Sequence, residues 1–221
     1  MAERKLSILG VGPGDPELLT VKATRLIREA DHVFAPVNRG KHRSYDISAE
    51  YVREEQLQFL EVPMLKMSEE RYEKEAEFIN QCLKEGEKAV YLCLGDATIY
   101  SSAFKLLPFL DQDISCQWVA GIPSFLQGFN QCIFPMVQTG GRFLLLDEWN
   151  EEARSLASKV ESLAILKAHR EPQKVFSELK EEGFSPILIS HLGMEEEELL
   201  EEIPEGRTLP YLSFILARKL S

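Results

Sequence analysis

Apolar and polar positions along the chain fall into short blocks whose periods predict strands and helices in succession. Lys5 to Val11, KLSILGV, is an apolar run bearing a glycine, and it predicts a buried strand feeding a tight turn. Between Asp15 and Ala30, Leu18, Val21, Leu26 and Ile27 are spaced for a helix. Thr20 is its candidate cap, and Lys22, Arg25 and Arg28 face outward. His32 to Pro36, HVFAP, reads as a second strand. A strand, a helix and a parallel strand in about thirty residues make a βαβ unit, which favours an α/β sheet.

Glu69 to Lys84 reads as a charged helix with Ala76, Phe78, Ile79 and Leu83 on one side and Gly86 as its stop. Ala89 to Leu94, AVYLCL, has the continuous apolar character of a strand covered on both faces. Ala103 to Leu110 reads as a helix, and Ser115 to Ala120 as a strand ending at a glycine. After Pro135 the pattern restarts. Phe143–Leu146, Leu163–Lys167, Pro186–Ser190 and Tyr211–Ala217 are strand candidates, with acidic helices such as Glu195–Glu202 between them. The expectation is two α/β domains joined within residues 117–137, divided as 1–120 and 121–221. The four acids Glu195 to Glu198 read as a solvated helix face. Phe125, Phe129, Ile133 and Phe134 suit either a dimer surface or a core helix.

Composition narrows the partners. Lys and Arg number 25 against 36 Asp and Glu, a net charge of −11, which disfavours nucleic acid and anionic lipid surfaces. No stretch approaches the roughly 20 apolar residues that span a bilayer, and no cleavage signal is visible, so a cytoplasmic protein is expected. Cys82, Cys93, Cys116 and Cys132 form no CxxC pair and read as buried free thiols. The four histidines show no ligand spacing, and no built-in metal is expected.

Three segments carry candidate chemistry. Gly10-Val11-Gly12-Pro13-Gly14-Asp15 begins like a dinucleotide fingerprint, but aspartate stands where its third glycine belongs, which disfavours a nicotinamide site. Its glycines and prolines instead specify a rigid turn or a loop that lets backbone approach a ligand. Leu94 to Ser102, LGDATIYSS, lies just beyond a buried strand, where open α/β sheets bind ligands. Its hydroxyls and single acid suit a nucleoside or amino-acid moiety, and a capped strand-to-helix turn is the plainer alternative. Ala120 to Phe125, AGIPSF, also follows a strand, and two such loops at one sheet edge would line one crevice.

GVGPGDPELLTVKA at residues 10–23, GDATIYSS at 95–102 and AGIPSF at 120–125 resemble, in order and spacing, the glycine-proline, GDPT-type and PGVSS-type loops of the tetrapyrrole methylases. HVFAPV at 32–37, VPMLKMSEE at 62–70 and LPYLSFILARK at 209–219 resemble the branch that methylates carbon 20 of precorrin-2 or cobalt-factor II. The likeness covers nearly the whole chain and thins between Thr139 and Lys159. It implies two α/β domains with S-adenosylmethionine in the cleft between them, usually in a homodimer. The implied cofactor contacts are Pro13, Leu94, Gly95, Asp96, Ile99, Tyr100, Pro123, Ser124, Lys167, Ala168, Tyr211 and Leu212, with Asp15 facing the substrate. Ala97, Ala120 and Pro123 depart from the family pattern, and Pro123 removes a backbone N–H.

A tetrapyrrole carries many carboxylates, so an acidic protein must concentrate positive charge where it binds one. Arg39, Lys41, His42 and Arg43 supply such a cluster, an exposed loop being the alternative, and Ser101 is a further substrate candidate. Methyl transfer from a sulfonium needs an in-line approach more than a catalytic triad, and no triad is visible. Asp15 is the candidate catalytic residue, orienting pyrrole nitrogens or assisting proton removal from the methylated carbon. A methylase acting at another tetrapyrrole position or on a protein side chain, and a protein that binds the cofactor without transfer, are the alternative readings.

Overall fold

In β1 (Arg4–Gly10) the last five residues are all buried, which a strand achieves only in the middle of a sheet covered on both faces. The computed structural model describes residues 2–37, 40–61, 69–133, 135–168 and 170–219. The chain forms two compact units, Met1–Pro123 and Ser124–Ser221.

The first unit continues with α1 (Val21–Glu29), β2 (His32–Val37), α2 (Arg43–Ser48), β3 (Leu57–Glu61), α3 (Glu69–Cys82), β4 (Lys88–Cys93) and β5 (Ile114–Val119). Its sheet runs β3-β2-β4-β1-β5 with every pairing parallel, so all five strands end at the same edge. β4 is buried from Ala89 onward and serves two cores. Ala89, Tyr91 and Cys93 join the cluster that contains Tyr72, Ile79 and Leu83 of the α3 region, while Val90 and Leu92 join Ala23 and Ile27 of α1. Each large apolar side chain removed from water in this way contributes about 2 kcal/mol.

The helix expected from Asp15 is built in two pieces. Pro16 occupies the first position of a 3-10 turn (Pro16–Leu18) capped by Asp15, and the chain is extended again at Leu19. α1 starts at Val21, where the Thr20 hydroxyl accepts the Ala23 N–H at 3.1 Å. Its buried face is Ala23 and Ile27, and Val21 is 85% exposed rather than inward. The helix expected at Ala103–Leu110 is instead two 3-10 turns, Ser102–Lys105 and Leu107–Phe109, because Pro108 has no N–H to continue an α-helical ladder. On α3, Phe78 is 39% exposed, and the inward face is Tyr72, Glu75, Ala76 and Ile79. Gly86, at φ +83°, turns the chain into β4.

Arg4 locks the foot of this unit. Its side chain pairs with Asp111 at 2.9 Å and Asp113 at 3.0 Å, and its guanidinium also donates to the Leu83 and Asn80 carbonyls at 2.8 and 2.5 Å.

The second unit contains α4 (Ser124–Gln131), β6 (Phe143–Leu146), α5 (Glu151–Ala157), β7 (Ser162–Ile165), α6 (Pro172–Glu181), β8 (Phe184–Ser190), β9 (Glu198–Leu200) and β10 (Ser213–Lys219). Its sheet runs β6-β7-β10-β8-β9 and is mixed: β6 and β7 are parallel, and the remaining pairings are antiparallel. Phe125 and Phe129 are buried on α4, both in ring contact with Phe143, so they are core. Ile133 is 91% exposed, and Phe134 lies outside the described residues. The acidic stretch 195–202 is not a helix. Consecutive glutamates would repel at helical i,i+3 and i,i+4 spacing, and the segment instead forms β9, an edge strand in register with β8 through Leu188–Leu200. The four cysteines are free thiols; Cys93 is buried, but Cys116 is exposed on the edge strand β5, not inside.

Candidate functional site

The carboxyl edge of the first sheet is built from backbone brought unusually close. β4, β1 and β5 are neighbours, and each runs into a glycine-bearing loop. Gly12 and Gly95 form a two-bond bridge: the Gly12 N–H donates to the Gly95 carbonyl at 3.1 Å, and the Gly95 N–H to the Gly12 carbonyl at 2.7 Å. A Cβ on Gly121 would stand 2.2 Å from the Gly95 carbonyl oxygen, and one on Gly10 would stand 2.6 Å from the Gly121 nitrogen. The three loop segments can therefore meet here only with glycine at positions 10 and 121. This packing was not readable from the glycine-proline motif, because Gly10 and Gly121 are 111 residues apart in sequence, from the arithmetic 121 − 10.

Asp96 ties the second loop to the third. Its Oδ1 accepts the Thr98 N–H at 2.8 Å and the Thr98 hydroxyl at 2.5 Å, and its Oδ2 accepts the Gly121 N–H at 2.9 Å. Burial works against the charged form, yet these three bonds outweigh it and hold the carboxyl below its ordinary value. Among the described hydrogen bonds, both oxygens of Asp96 are engaged within the protein.

The remaining residues of this edge fall into place around that tie. Pro13 is buried in the first loop; Asp15 is half-buried, and its Oδ1 accepts the Glu17 N–H at 2.8 Å. Leu94, Gly95 and Ile99 are half-buried, while Tyr100 is 53% exposed with its backbone at φ +48°. Ser101 caps the following 3-10 turn by accepting the Ala103 N–H at 3.2 Å, and its hydroxyl lies 3.5 Å from the Cys93 thiol, which burial pushes up to about 12. Pro123 is half-buried, with its Cα the nearest atom to a Cβ built on Gly95, at 3.9 Å.

Of the proposed cationic clamp, Lys41 is exposed and Arg43 half-buried, and Arg39 lies outside the described residues, as does most of the VPMLKMSEE segment. His42, between them, donates its Nδ1–H to the Asp46 carboxylate at 2.6 Å and packs within about 5.5 Å of the Tyr45 and Phe59 rings.

In the second unit, Lys167 and Ala168 follow β7, and Tyr211 and Leu212 precede β10. Because Ile165 pairs with Ile215 in an antiparallel ladder, both pairs sit at one end of that sheet. The Lys167 ammonium faces Asp147 at 3.4 Å, Ala168 is buried, and Tyr211 is 44% exposed. A cavity of about 500 Å³ opens at Lys167 and Ala168, lined also by Glu148, Trp149, Arg154 and Arg170 among others. Trp149 donates its indole N–H to Glu178 at 2.6 Å there. Ser124 opens α4.

Sequence reasoning missed one buried group altogether. Glu75 on α3 is 7% exposed, and among the described residues neither carboxylate oxygen has a hydrogen-bond partner; Arg71 Nε is 3.5 Å from Oε1. Burial, only partly offset by Arg71, raises its pKa to about 7. The i, i+3, i+7 series Tyr72, Glu75, Ile79 was the signal available in the sequence. Among the described residues no group of three or more His, Cys, Asp or Glu could hold a metal ion, and no helix is long and apolar enough to cross a membrane.

The fold is shared with solved methyltransferase structures. The uroporphyrin III C-methyl transferase of Thermus thermophilus matches it with a TM-score of 0.71 at 22% identity over 96% of each chain. A cobalt precorrin-4 methyltransferase matches with a TM-score of 0.70 at 20% identity over 97% of this chain and 94% of that one. The family model of the tetrapyrrole (corrin/porphyrin) methylases matches residues 5–204, and the chain belongs to that family; it is a methyltransferase. It is 24% identical to the probable cobalt-precorrin-2 C(20)-methyltransferase of Methanocaldococcus jannaschii, over 98% of this chain and 96% of the relative. It is 27% identical to the cobalt-precorrin-2 C(20)-methyltransferase of Salmonella typhimurium, over 97% and 96%.

Proposed function

We propose that the protein transfers a methyl group from S-adenosylmethionine to carbon 20 of a precorrin-2-type tetrapyrrole in cobalamin biosynthesis. The observation that carries the substrate is the near end-to-end match to two relatives named for that reaction. The donor fits the first-unit edge: Gly95, at φ +70°, keeps open the space that a side chain would fill, where the nearest atom is the Pro123 Cα at 3.9 Å. A Thermus thermophilus family member is known in complex with S-adenosyl homocysteine.

On this reading Leu94, Gly95, Ile99, Tyr100, Pro13 and Pro123 are the donor contacts of the first unit, and the family resemblance adds Ser124, Lys167, Ala168, Tyr211 and Leu212 of the second as candidates. Asp96 acts by fixing the loop, since both its oxygens are already engaged. When bound, S-adenosylmethionine supplies a methyl on a positively charged sulfur, so the protein's task is to align two reactants and exclude water. Asp15 keeps Oδ2 clear of described hydrogen bonds and can accept from pyrrole N–H groups, which orients the ring. Lys41, Arg43 and Arg39 pair with the substrate's carboxylates, and Ser101 serves the ring edge. Cobalt, where present, arrives with the substrate. We place the working form as a homodimer in the cytoplasm.

The test is incubation of the purified protein with methyl-labelled S-adenosylmethionine and either precorrin-2 or its cobalt-bearing counterpart, followed by mass and NMR of the product. One added methyl at carbon 20 supports the reading, and the better substrate fixes the metal state. Methylation at another carbon, or donor binding without transfer, overturns it.

A further inference from the structure

The strands β8 (FSPILIS) and β10 (SFILARK) place two hydroxyls in the core, where apolar side chains would pack at less cost. Ser190 ends β8 at 2% exposure, and Ser213 opens β10 at 1%. The two are partners in the antiparallel ladder. One rung further out, the His191 N–H donates to the Leu212 carbonyl at 3.0 Å. Rungs alternate, so Ser190 and Ser213 are a non-hydrogen-bonded pair, the kind whose side chains stand closest. Their hydroxyl oxygens are 2.8 Å apart, and the Ser213 hydroxyl donates to the Pro210 carbonyl at 2.7 Å. A hydroxyl has one proton to give. Ser213 directs its proton at Pro210, so Ser190 must donate to Ser213, and the three form a directed chain.

That chain closes the turn Pro210–Ser213 through a side chain, with Tyr211 and Leu212 between its ends. Residues 207–212 belong to no helix or strand, so no regular ladder fixes them. We propose that Ser190 and Ser213 are positioning residues that set the backbone of Tyr211 and Leu212 for the donor. Ser213 holds the turn at Pro210, Ser190 holds Ser213, and His191 holds the Leu212 carbonyl. A segment ordered before binding loses less conformational freedom when the ligand arrives, which raises affinity. The inference rests on the reading of Tyr211 and Leu212 as donor contacts.

The experiment uses the full chain as wild type, Ser213→Ala, Ser190→Ala, the double alanine variant and Ser213→Thr, which keeps the hydroxyl. Calorimetry with S-adenosylhomocysteine reports the donor site, hydrogen exchange of peptides covering residues 207–213 reports the turn, and urea unfolding reports stability. Ser213→Ala should weaken S-adenosylhomocysteine binding about tenfold, and Ser190→Ala about threefold, because it leaves the bond to Pro210 in place. The links act in series, so the double variant should bind within about twofold of Ser213→Ala, and Ser213→Thr within about twofold of wild type. In turnover the loss should fall on the donor KM, with kcat within about twofold. Should Ser213→Ala fail to fold, Ser190→Ala makes the same comparison. Binding that the alanine variants leave unchanged while stability falls, or a loss in Ser213→Thr equal to that in Ser213→Ala, overturns this role alone. A wild type that does not bind S-adenosylhomocysteine overturns the donor reading and this role with it.

Discussion

The Asp96 carboxylate receives the Gly121 backbone N–H at 2.9 Å, joining the loops that follow two strands lying on either side of β1. A carboxylate placed where the sequence suggests a ligand contact is thus spent on holding the site's own geometry. Replacing it tests the difference. Asp96→Ala should lower donor affinity by roughly tenfold or more, with a stability loss of about 1–3 kcal/mol, the range for a hydrogen bond to a charged group. Calorimetry and urea unfolding measure the two. Unchanged stability with lost affinity would mean that the side chain contacts the donor instead.

Glycine at position 121 is expected to be irreplaceable for a steric reason. A Cβ there meets backbone of Gly95 and Gly10, neither of which can swing aside, so Gly121→Ala should cost several kcal/mol or abolish soluble expression. Gly140→Ala is the control: nothing lies within 4 Å of its Cβ, and only its φ of +82° is penalised, about 1 kcal/mol. Comparable losses for the two would refute the close-approach argument.

Stability should depend on pH through Glu75 with a definite sign. Its folded pKa, about 7, lies above the ordinary carboxyl value of 4.5, so the folded state binds the extra proton. The associated stability is present below the unfolded value and is lost as pH rises from there through about 7. Glu75→Gln should therefore unfold at a higher urea concentration than wild type near pH 8, by an amount on the order of 3 kcal/mol, and the gap should shrink toward pH 5. A gap constant with pH would show that the carboxyl is not the source.

Arg4 gathers two aspartates and two backbone carbonyls while its side chain is only 12% exposed. Arg4→Ala should cost about 2–4 kcal/mol because it leaves polar partners unpaired, whereas Arg25→Ala should cost under about 1 kcal/mol. Arg25 pairs with Glu29 in the open, at 56% and 44% exposure. Thermal unfolding of both variants makes the comparison.

In the second unit, Lys167→Ala should raise the KM for the donor several-fold with little change in kcat, if the β7 end contacts the cofactor and not the reacting methyl. Loss of kcat alone would argue for a part in transfer.

The strands were legible where the apolar run is unbroken. Ala89–Leu94 and Phe143–Leu146 are apolar without interruption, and each became a strand at or within a residue of its expected place. β3 was missed because Leu57–Glu61 lies at a sheet edge and keeps polar residues on view, and β9 was taken for helix because acidity and leucines fit both states. At the site, the three loops could be read from glycines ending strands, but not how they join. The Asp96–Gly121 bond spans 25 residues, and only the order of strands in the sheet decides that they are neighbours. Glu75 was invisible for a different reason: on a helix with charges on most faces, one inward glutamate has the same letter as its exposed neighbours.

The Gly12–Gly95 bridge and the Gly10–Gly121 approach are made by main-chain atoms, and the second admits only glycine at both positions. Ala97, Ala120 and Pro123, the three positions where this chain parts from its family's pattern, flank those contacts and leave them intact. A cradle made of peptide groups tolerates turnover in its border, so side chains around it can change while the close-packed loops stay the same object.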